Sequence, residues 1–141
     1  MTRINDTDNS TLKVLELKSN LNNITVIESF IEDFRCSHAI GDDVYGNMLV
    51  AITEAVNNAI LHGNKSDESK RVYINLSKQK NLVTCIVKDE GRGFDYNNLP
   101  DPTSPENIEN TGGRGVFLMK NLADMVIFSN DGSIVEIQFK V

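Results

Sequence analysis

Two pairs of strand-like segments, of which the first pair alternates apolar and polar residues, constrain the fold of this chain more than any other feature of its sequence. "RVYINLSKQ" and "LVTCIVKD" flank a polar turn near Lys80 and Asn81, and "MVIFSN" and "SIVEIQFKV" flank the turn "NDGS". Alternation of this kind is typical of half-buried strands, and a short polar link between two such strands predicts a hairpin. The segment 11–18, "TLKVLELK", alternates in the same way. The sequence therefore predicts two hairpins and one earlier strand.

Helical periodicity marks three other segments. Apolar residues recur at helical spacing in "SNLNNITVIESFIEDFRCSH", and "GVFLMKNLAD" predicts a short helix. Between them, a long second helix is predicted from Asp42 and Asp43 to about Leu61, with Gly63 and Asn64 as its terminators. The order is strand, helix, helix, hairpin, loop, helix, hairpin. This order predicts an α+β fold in which helices pack on one face of a mostly antiparallel sheet.

Length and composition suit one globular domain. The chain has 141 residues, of which 40% are hydrophobic and 24% are charged, and no apolar run approaches the ~20 residues of a membrane span. Its net charge of -6 argues against nonspecific binding to a nucleic-acid backbone, which needs clustered Lys and Arg. A small anionic ligand held by backbone N–H groups stays compatible with that charge.

Neither the N-terminal segment nor the cysteines suggest an exported protein. Cys36 and Cys85 do not form a metal motif or a disulfide framework, so both are expected to be ordinary, reduced thiols in the core. "MTRINDTDNS" lacks a hydrophobic signal region. We therefore expect residues 1–10 to be a flexible polar tail, residues 11–141 to be one domain, and the protein to be cytoplasmic.

The second predicted helix carries one charge where a solvent-facing helix carries several. Within residues 44–64 the single charged side chain is Glu54, whereas the chain-wide charged fraction predicts about five. On a helical wheel Glu54 points away from the apolar arc, and Asn57 and Asn58 lie within about 60° of it. The apolar arc comprises Met48, Leu49, Ile52, Ala55, Val56, Ala59 and Ile60. The polar stripe is either a ligand site or a buried structural network, and His62 at its margin is interpreted as a structural residue of the helix end.

The chemistry of Glu54 and Asn58 favours the ligand site. Their i,i+4 spacing puts a carboxylate and an amide oxygen on one stripe, and Mg²⁺ prefers a few hard oxygen ligands together with waters and phosphates. Asn58 could supply such an oxygen without adding negative charge beside a polyphosphate. Glu54 could accept a proton from a water or an alcohol that attacks the terminal phosphate.

A first glycine-rich segment, "DEGRGFD", follows a predicted strand and starts with Asp89. A carboxylate at the end of a strand can accept a hydrogen bond from an exocyclic amine, and Gly91 and Gly93 would let a flat ring approach the backbone. The alternative is a tight connection between two elements.

A second glycine-rich segment, "TGGRGVFLMKNL", places Gly112, Gly113 and Gly115 just before a predicted helix. Free N–H groups at a helix N-terminus bind phosphate, and Arg114 could add a charged donor. The alternative is a hinge that caps the helix. The segment is not a Walker loop, because no G-K-[ST] follows, and no βαβ unit surrounds it.

These three segments together resemble the GHKL ATPases, a superfamily that includes gyrase, heat-shock chaperone, histidine-kinase and MutL ATPase domains. "EAVNNAILHGN" resembles the N box, and "DEGRGF" and "GGRGVFLM" resemble the first and second glycine boxes. The short stand-alone form is similar to the bacterial anti-sigma-factor serine kinases of partner-switching systems. Over residues 11–141 the resemblance implies a Bergerat fold: a two-layer α/β sandwich with a mostly antiparallel mixed sheet, three helices on one face, and ATP held between the long helix and a lid at about 96–111.

The resemblance also implies a role for individual residues. Glu54 would be the catalytic base, Asn58 the Mg²⁺ ligand and Asp89 the acceptor for the adenine amino group. The remaining residues expected to bind the nucleotide are Asn57, Gly91, Gly93, Gly112, Gly113, Arg114, Gly115, Val116 and Ser133. "DGSIVEIQF" resembles the last box weakly, and Ser133 stands where many members have threonine.

The implied function is that of an ATP-dependent protein serine/threonine kinase. The resemblance implies a homodimer that phosphorylates a STAS-type antagonist protein and sequesters a regulatory partner such as a sigma factor, with no nucleic-acid or membrane partner. A sensor histidine kinase is disfavoured, since the chain has only His38 and His62 and no dimerisation helix bearing a phosphoacceptor. The alternatives are a non-catalytic ATP/ADP-binding switch and a structural domain without nucleotide.

Overall fold

One antiparallel sheet organises the part of the chain that the structure describes. The computed structural model describes residues 3–6, 12–91 and 111–141, with only the backbone for 3–6 and 111–114. Its strands are β1 (Arg3–Asp6), β2 (Leu12–Lys18), β3 (Arg71–Gln79), β4 (Leu82–Asp89), β5 (Met125–Ser129) and β6 (Ile134–Lys140), in the order β1-β2-β3-β4-β6-β5. The predicted hairpins β3–β4 and β5–β6 are confirmed. Every pairing among these strands is antiparallel. The resemblance implied a mostly antiparallel mixed sheet, but the described strands include no parallel pair.

Strand β1 lies within the segment that the sequence predicts as a flexible polar tail. It pairs with β2 in a register that runs from Arg3 opposite Glu16 to Asp6 opposite Lys13. The sequence "RIND" has no apolar alternation to reveal a strand, and its pairing comes from the main-chain groups along the edge of β2. The expectation of a tail is therefore corrected over residues 3–6.

Three α-helices join the sheet around one hydrophobic core. They are α1 (Ile24–His38), α2 (Asp42–Asn58) and α3 (Thr111–Leu122). Helix α2 is central, because it contacts α1, α3 and strands β4 and β6. Alternate residues of β2, β3, β4 and β6 are buried together with apolar residues of all three helices. This arrangement is the predicted two-layer α+β sandwich with its helices on one face of the sheet.

The end of α2 departs from the predicted helix. Helix α2 ends at Asn58, and a π turn follows over Ala59–Gly63, in which the Asn64 N–H donates to the Ala59 carbonyl at 2.8 Å. Gly63 is therefore not a left-handed terminator; the positive φ angles fall later, at Lys65 and Ser66. A π turn holds one more residue than an α turn, and such turns often occur at functional sites. Here the turn brings Gly63 and Asn64 against the end of β4.

The second glycine-rich segment also departs from its prediction. Because α3 begins at Thr111, Gly112, Gly113, Arg114 and Gly115 lie in its first turns, not in a loop before it. Glycine is a poor helix former, so local propensity predicts a later start. Contact with α2 overrides that propensity.

Two smaller predictions are tested by the same structure. Both cysteines are free, and Cys85 is buried in the core as expected, whereas the expectation of a core position is wrong for Cys36, which is exposed. No helix among residues 12–91 and 111–141 is long and apolar enough to cross a membrane.

Candidate nucleotide-binding and catalytic site

Two polar side chains of α2 converge on the first turns of α3. A β-carbon built on Gly115 would lie 3.0 Å from Asn58 Nδ2 and 3.1 Å from Glu54 Oε2. Glu54 is half-buried, whereas Asn58 is buried. The i,i+4 spacing of Glu54 and Asn58 places both side chains on the side of α2 that faces α3, and Gly115 leaves the room they occupy. Three residues that the sequence predicted for one site are thus brought together.

Two amide atoms beside this contact lack a hydrogen-bond partner. Asn57 Oδ1 and Asn58 Nδ2 are buried, and neither has a partner among the residues that the structure describes. A buried amide left unpaired costs about 1–3 kcal/mol, so native proteins usually satisfy such atoms. Their presence next to Glu54 favours a polar ligand here over the alternative of a structural network, which would have paired them.

A narrow pocket continues from Asn58 towards the sheet. The enclosed part of this pocket is only about 10 Å³, which is room for about one water and far below the ~300–1,000 Å³ typical of a whole-ligand pocket. Val87, Met119 and Phe128 contribute apolar walls, and Asp89 and Ser133 contribute polar groups. The lining suits one flat ring with a polar edge. Asn58 lines this pocket and also contacts the Gly115 cradle, so it connects the two halves of the site.

Asp89 is held at the polar end of the pocket by backbone hydrogen bonds. Its own N–H donates to the Ser133 carbonyl at 2.9 Å, and the Gly91 N–H donates to Asp89 Oδ1 at 2.8 Å. Burial raises the pKa of the Asp89 carboxyl above its ordinary value, while the Gly91 hydrogen bond and the charge of Lys70 oppose that rise. A carboxylate kept in such a place at a desolvation cost fits the predicted role of accepting a hydrogen bond from a ligand.

Ser133 lines the pocket, and its hydroxyl already makes two hydrogen bonds within the protein. Its Oγ donates to the Asn130 carbonyl at 2.9 Å and accepts from Asn130 Nδ2 at 2.8 Å. The residue is buried, and its carbonyl holds the Asp89 N–H. Ser133 therefore lies where the sequence predicted, but its hydroxyl also stabilises the β5–β6 turn.

Two glycines allow the π turn to pack directly on the end of β4. A β-carbon on Gly63 would lie 2.2 Å from Asp89 Oδ2, and one on Gly91 would lie 1.8 Å from the Gly63 carbonyl oxygen. Both distances are far below van der Waals contact, so no larger residue fits at either position. At Gly91 the observed close neighbour is the Gly63 carbonyl, which is the tight connection given as the alternative, and the approach of a ligand ring to this glycine stays a prediction.

The sequence predicted Asn64 only as a helix terminator, yet its side chain connects three distant segments by hydrogen bonds. Its side chain hydrogen-bonds Ser19, Arg71 and Glu90, and it is buried. A polar residue directly after a helix pattern usually indicates a cap, so its long-range partners left no trace in the local pattern.

The other predicted residues are less informative. Gly93 and residues 96–110 of the expected lid lie outside the described residues, and of Gly112, Gly113 and Arg114 only the helical backbone is described. Val116 is buried, as α3 packs on the core. His62 is exposed within the π turn, at the end of the helical segment as predicted.

The residues present fit a magnesium ion that is shared with a phosphate ligand. Among the residues described, no group of three His, Cys, Asp or Glu side chains could hold a metal ion. Mg²⁺ in nucleotide sites commonly takes one or two protein oxygens and completes its shell with phosphates and waters. Asn58 Oδ1, which lies 3.3 Å from the β-carbon position of Gly115, could supply one such oxygen, and Asn58 Nδ2 has no hydrogen-bond partner among the described residues.

Comparison with known proteins agrees with this geometry. The family model for the histidine kinase-like ATPase domain matches residues 17–139. The serine-protein kinase RsbW of Bacillus subtilis (strain 168) is 30% identical over 98 residues, which are 65% of this chain and 61% of the relative. The anti-sigma F factor of Anoxybacillus flavithermus (strain DSM 21510 / WK1) is 37% identical over 93 residues, which are 61% of this chain and 62% of the relative.

The match to these relatives is partial, whereas the match to the family extends over nearly all of the fold. The chain spans about three fifths of the length of the curated relatives it matches. The family model covers α1, α2, α3 and strands β3 to β6, and therefore every described residue of the candidate site. The resemblance drawn from the three sequence boxes is confirmed: this chain belongs to the histidine kinase-like ATPase domain family.

Proposed function

We propose that this protein is an ATP-dependent serine/threonine kinase that acts as an anti-sigma-factor-type regulator. The observation that carries the proposal is the convergence of Glu54 and Asn58 on Gly115, beside two amide atoms that have no hydrogen-bond partner among the described residues. Membership of the ATPase family supports the use of ATP. The names of the relatives, serine-protein kinase and anti-sigma F factor, support the kinase activity and the regulatory role.

The pocket between α2 and the sheet would hold the adenine ring of ATP. Val87, Met119 and Phe128 offer apolar surfaces to its faces, and Asp89 offers a carboxylate oxygen to its exocyclic amine. A charge-assisted hydrogen bond of this kind is about twice as strong as a neutral one. Asp89 would thus select the base, and the ring would enter no deeper than the narrow pocket allows.

The phosphates would lie on the opposite side of Asn58, against the first turns of α3. The N-terminal turn of a helix presents free N–H groups and the positive end of its dipole, which favour anions. The glycines at 112, 113 and 115 remove side chains from this surface. Asn58 would hold Mg²⁺, which supplies positive charge to neutralise the phosphate oxygens.

Glu54 would act as the general base of phosphoryl transfer. The hydroxyl oxygen of a protein Ser or Thr attacks the γ-phosphorus of ATP, the bond to the β-phosphate oxygen breaks, and ADP leaves. The hydroxyl proton passes to the Glu54 carboxylate. Because Glu54 is half-buried, it lies beside the phosphate surface and is still open to a hydroxyl from outside.

The protein substrate would be a STAS-type antagonist, and the sequestered partner a sigma factor bound by a homodimer of this chain. The STAS-type antagonist and the homodimer are proposed from the resemblance alone, and the name anti-sigma F factor of one relative supports a sigma factor as the partner. The second candidate, a non-catalytic ATP/ADP switch, would have the same pocket. The position of Glu54 next to Asn58 favours the kinase, since a protein that only binds nucleotide needs no base there.

Phosphotransfer by the Glu54→Gln variant tests the proposal. With radiolabelled ATP and a STAS-type protein encoded beside this chain, we expect the variant to lose activity by about 100-fold or more, because general-base catalysis contributes about 10²–10⁴-fold. Its affinity for Mg-ATP should stay within about twofold, since the amide keeps the size of the side chain.

The matched control is Asp43→Asn, which removes a carboxylate from the exposed first turn of the same helix and should keep full activity. Undiminished transfer by Glu54→Gln would remove Glu54 from the mechanism. ATP binding by the wild-type protein without transfer to any co-encoded STAS protein would favour the non-catalytic switch.

A further inference from the structure

Asn64 satisfies every hydrogen-bonding group of its side chain with a distant partner. Its Nδ2 donates to Ser19 Oγ at 2.7 Å and to the Arg71 carbonyl at 3.0 Å, and its Oδ1 accepts from the Glu90 N–H at 2.8 Å. The residue is only 1% exposed. A fully buried amide is costly unless it is paired, so an amide with all of these bonds made fixes its neighbours firmly.

The Glu90 N–H is the middle one of three consecutive amides at the end of β4. The Asp89 N–H donates to the Ser133 carbonyl, and the Gly91 N–H donates to Asp89 Oδ1. The Ser133 carbonyl belongs to the neighbouring β5–β6 turn, whereas the Asp89 carboxylate belongs to the same segment as the amide that it accepts from. Among the described residues, only Asn64 connects this segment to the end of the π turn through a side-chain hydrogen bond, and it does so between the two residues that were predicted to face the base.

The packing around this bond leaves little room for adjustment. Gly63, which precedes Asn64, contacts the Asp89 carboxylate so closely that a methyl group at position 63 would lie 2.2 Å from Oδ2. Gly91 in turn packs on the Gly63 carbonyl. A rotation of the peptide between Asp89 and Glu90 would therefore move the carboxylate, because the π turn prevents the rest of the segment from following.

We propose that Asn64 is the positioning residue for base selection: by accepting from the Glu90 N–H, it fixes the direction of the Asp89 carboxylate and so the preference of the site for a base with an exocyclic amine. This role rests on the proposed function. Ser19 and Arg71 hold Asn64 on its other side, and Ser19 Oγ donates onward to the Lys70 carbonyl at 2.8 Å. The start of β3 thereby holds Asn64 in place, and Asn64 in turn fixes the position of the Asp89 carboxylate.

The experiment compares two nucleotides on the full-length protein. Calorimetry with Mg-ATP and Mg-ITP measures base selection directly, because hypoxanthine carries a carbonyl oxygen where adenine carries the amine. The wild-type protein should prefer ATP by about tenfold or more, since ITP leaves the buried carboxylate without its donor. Asn64→Ala should lower this preference by at least about fivefold and change ITP affinity by less than about twofold, because only the contact with the amine depends on the carboxylate direction.

Two variants separate this role from a general structural one. Ser19→Ala removes a partner of Asn64 but leaves the Glu90 bond, so it should lower the melting temperature and keep the ATP-to-ITP ratio. Asn64→Asp keeps an oxygen for the Glu90 N–H and loses both donors, and it should also keep the ratio. An unchanged ratio in Asn64→Ala, or an equal loss in Ser19→Ala or Asn64→Asp, would overturn the proposal.

A measurement on the wild-type protein covers the case in which Asn64→Ala does not fold. The Glu90 amide should exchange its hydrogen at least about tenfold more slowly than an exposed amide, because its acceptor is a buried side chain. Exchange at the exposed rate would overturn the proposal. If the wild-type protein binds neither nucleotide, the proposed function fails as well; if it selects ATP and Asn64→Ala selects ATP equally, only this inference fails.

Discussion

Glu54 on α2 and Gly115 on α3 approach each other so closely that a β-carbon at position 115 would lie 3.1 Å from Glu54 Oε2. Such a distance is tighter than almost all contacts that a real β-carbon makes, so one of the two groups would have to move. The absence of a side chain at position 115 therefore controls where the proposed base and the proposed metal ligand can stand. This contact gives the first of four predictions.

Gly115→Ala should lower phosphotransfer by about tenfold or more, because displacing a catalytic group by even 1 Å can cost about 100-fold in rate. The free energy of unfolding should change by less than about 1 kcal/mol, because the helix propensity gained by alanine offsets the strain. Kinase assays and urea denaturation measure the two effects.

Gly46→Ala is the matched control for that variant. Gly46 lies in α2, and a β-carbon there would have no atom of the described residues within 4 Å. This variant should keep full activity and gain about 0.5–1 kcal/mol of stability. If Gly115→Ala were as active as Gly46→Ala, the contact with Glu54 would have no functional weight.

Asp89→Asn should separate stability from nucleotide binding. The amide oxygen can still accept from the Gly91 N–H, and the desolvation cost of a buried carboxylate disappears, so the variant should be at least as stable as the wild type at pH 7. Its affinity for Mg-ATP should fall about tenfold or more, since a charge-assisted hydrogen bond to the base is lost. Denaturation and calorimetry test both parts, and wild-type affinity in this variant would exclude Asp89 as the base-reading group.

The titration of Asp89 should make both the stability of the fold and its affinity for ATP depend on pH. Burial raises the pKa of its carboxyl in the folded protein above the ordinary value of 3.8. The proton is therefore bound more tightly in the folded than in the unfolded state. The stability contributed by this group is fully present below pH 3.8 and is lost as the pH rises through the raised pKa.

ATP affinity should change in the opposite direction. A protonated carboxyl no longer offers the charged acceptor, so affinity should fall as the pH decreases from neutrality through the raised pKa of Asp89. Calorimetry from pH 7 down towards the ordinary carboxyl pKa of 3.8 should show this loss in the wild-type protein. The same loss in Asp89→Asn would assign it to another group.

Gly63→Ala tests the packing of the π turn on β4. Its methyl group would overlap the Asp89 carboxylate, with 2.2 Å to Oδ2, so the turn or the carboxylate must shift. Overpacking of this kind costs about 1–3 kcal/mol of stability, and ATP affinity should fall with it. Urea denaturation and calorimetry measure both, with Gly46→Ala again as the control. An alanine tolerated at position 63 without loss of either would contradict the close approach.

Much of the fold follows from local patterns. The alternation in "RVYINLSKQ" and "LVTCIVKD" directly reports burial on one face, so β3 and β4 are predictable, as is the apolar arc of α2. Strand β1 is not, because "RIND" has no burial pattern and its pairing depends on a neighbouring edge. The start of α3 is missed for a similar reason: contact with α2 stabilises a glycine-rich turn that propensity disfavours.

The candidate site, like the fold, could be predicted only in part from local sequence patterns. The lack of charge around Glu54 indicated a covered face, and Glu54, Asn58 and Gly115 do meet there. The part played by Asn64 could not be predicted, because its partners Ser19 and Glu90 are 45 and 26 residues away in sequence. Single-sequence patterns report a residue's environment, and they carry no information about which distant groups complete its hydrogen bonds.

The π turn at Ala59–Gly63 has a consequence for insertions and deletions in this chain. A protein that lost one residue there could wind the segment as an ordinary α-helix with its backbone fully bonded. Every residue after the deletion would nevertheless be rotated by about 100° around the axis. Gly63 and Asn64 would then no longer face the end of β4. A deletion that leaves the helix intact would therefore break the contact between the π turn and the segment that carries Asp89.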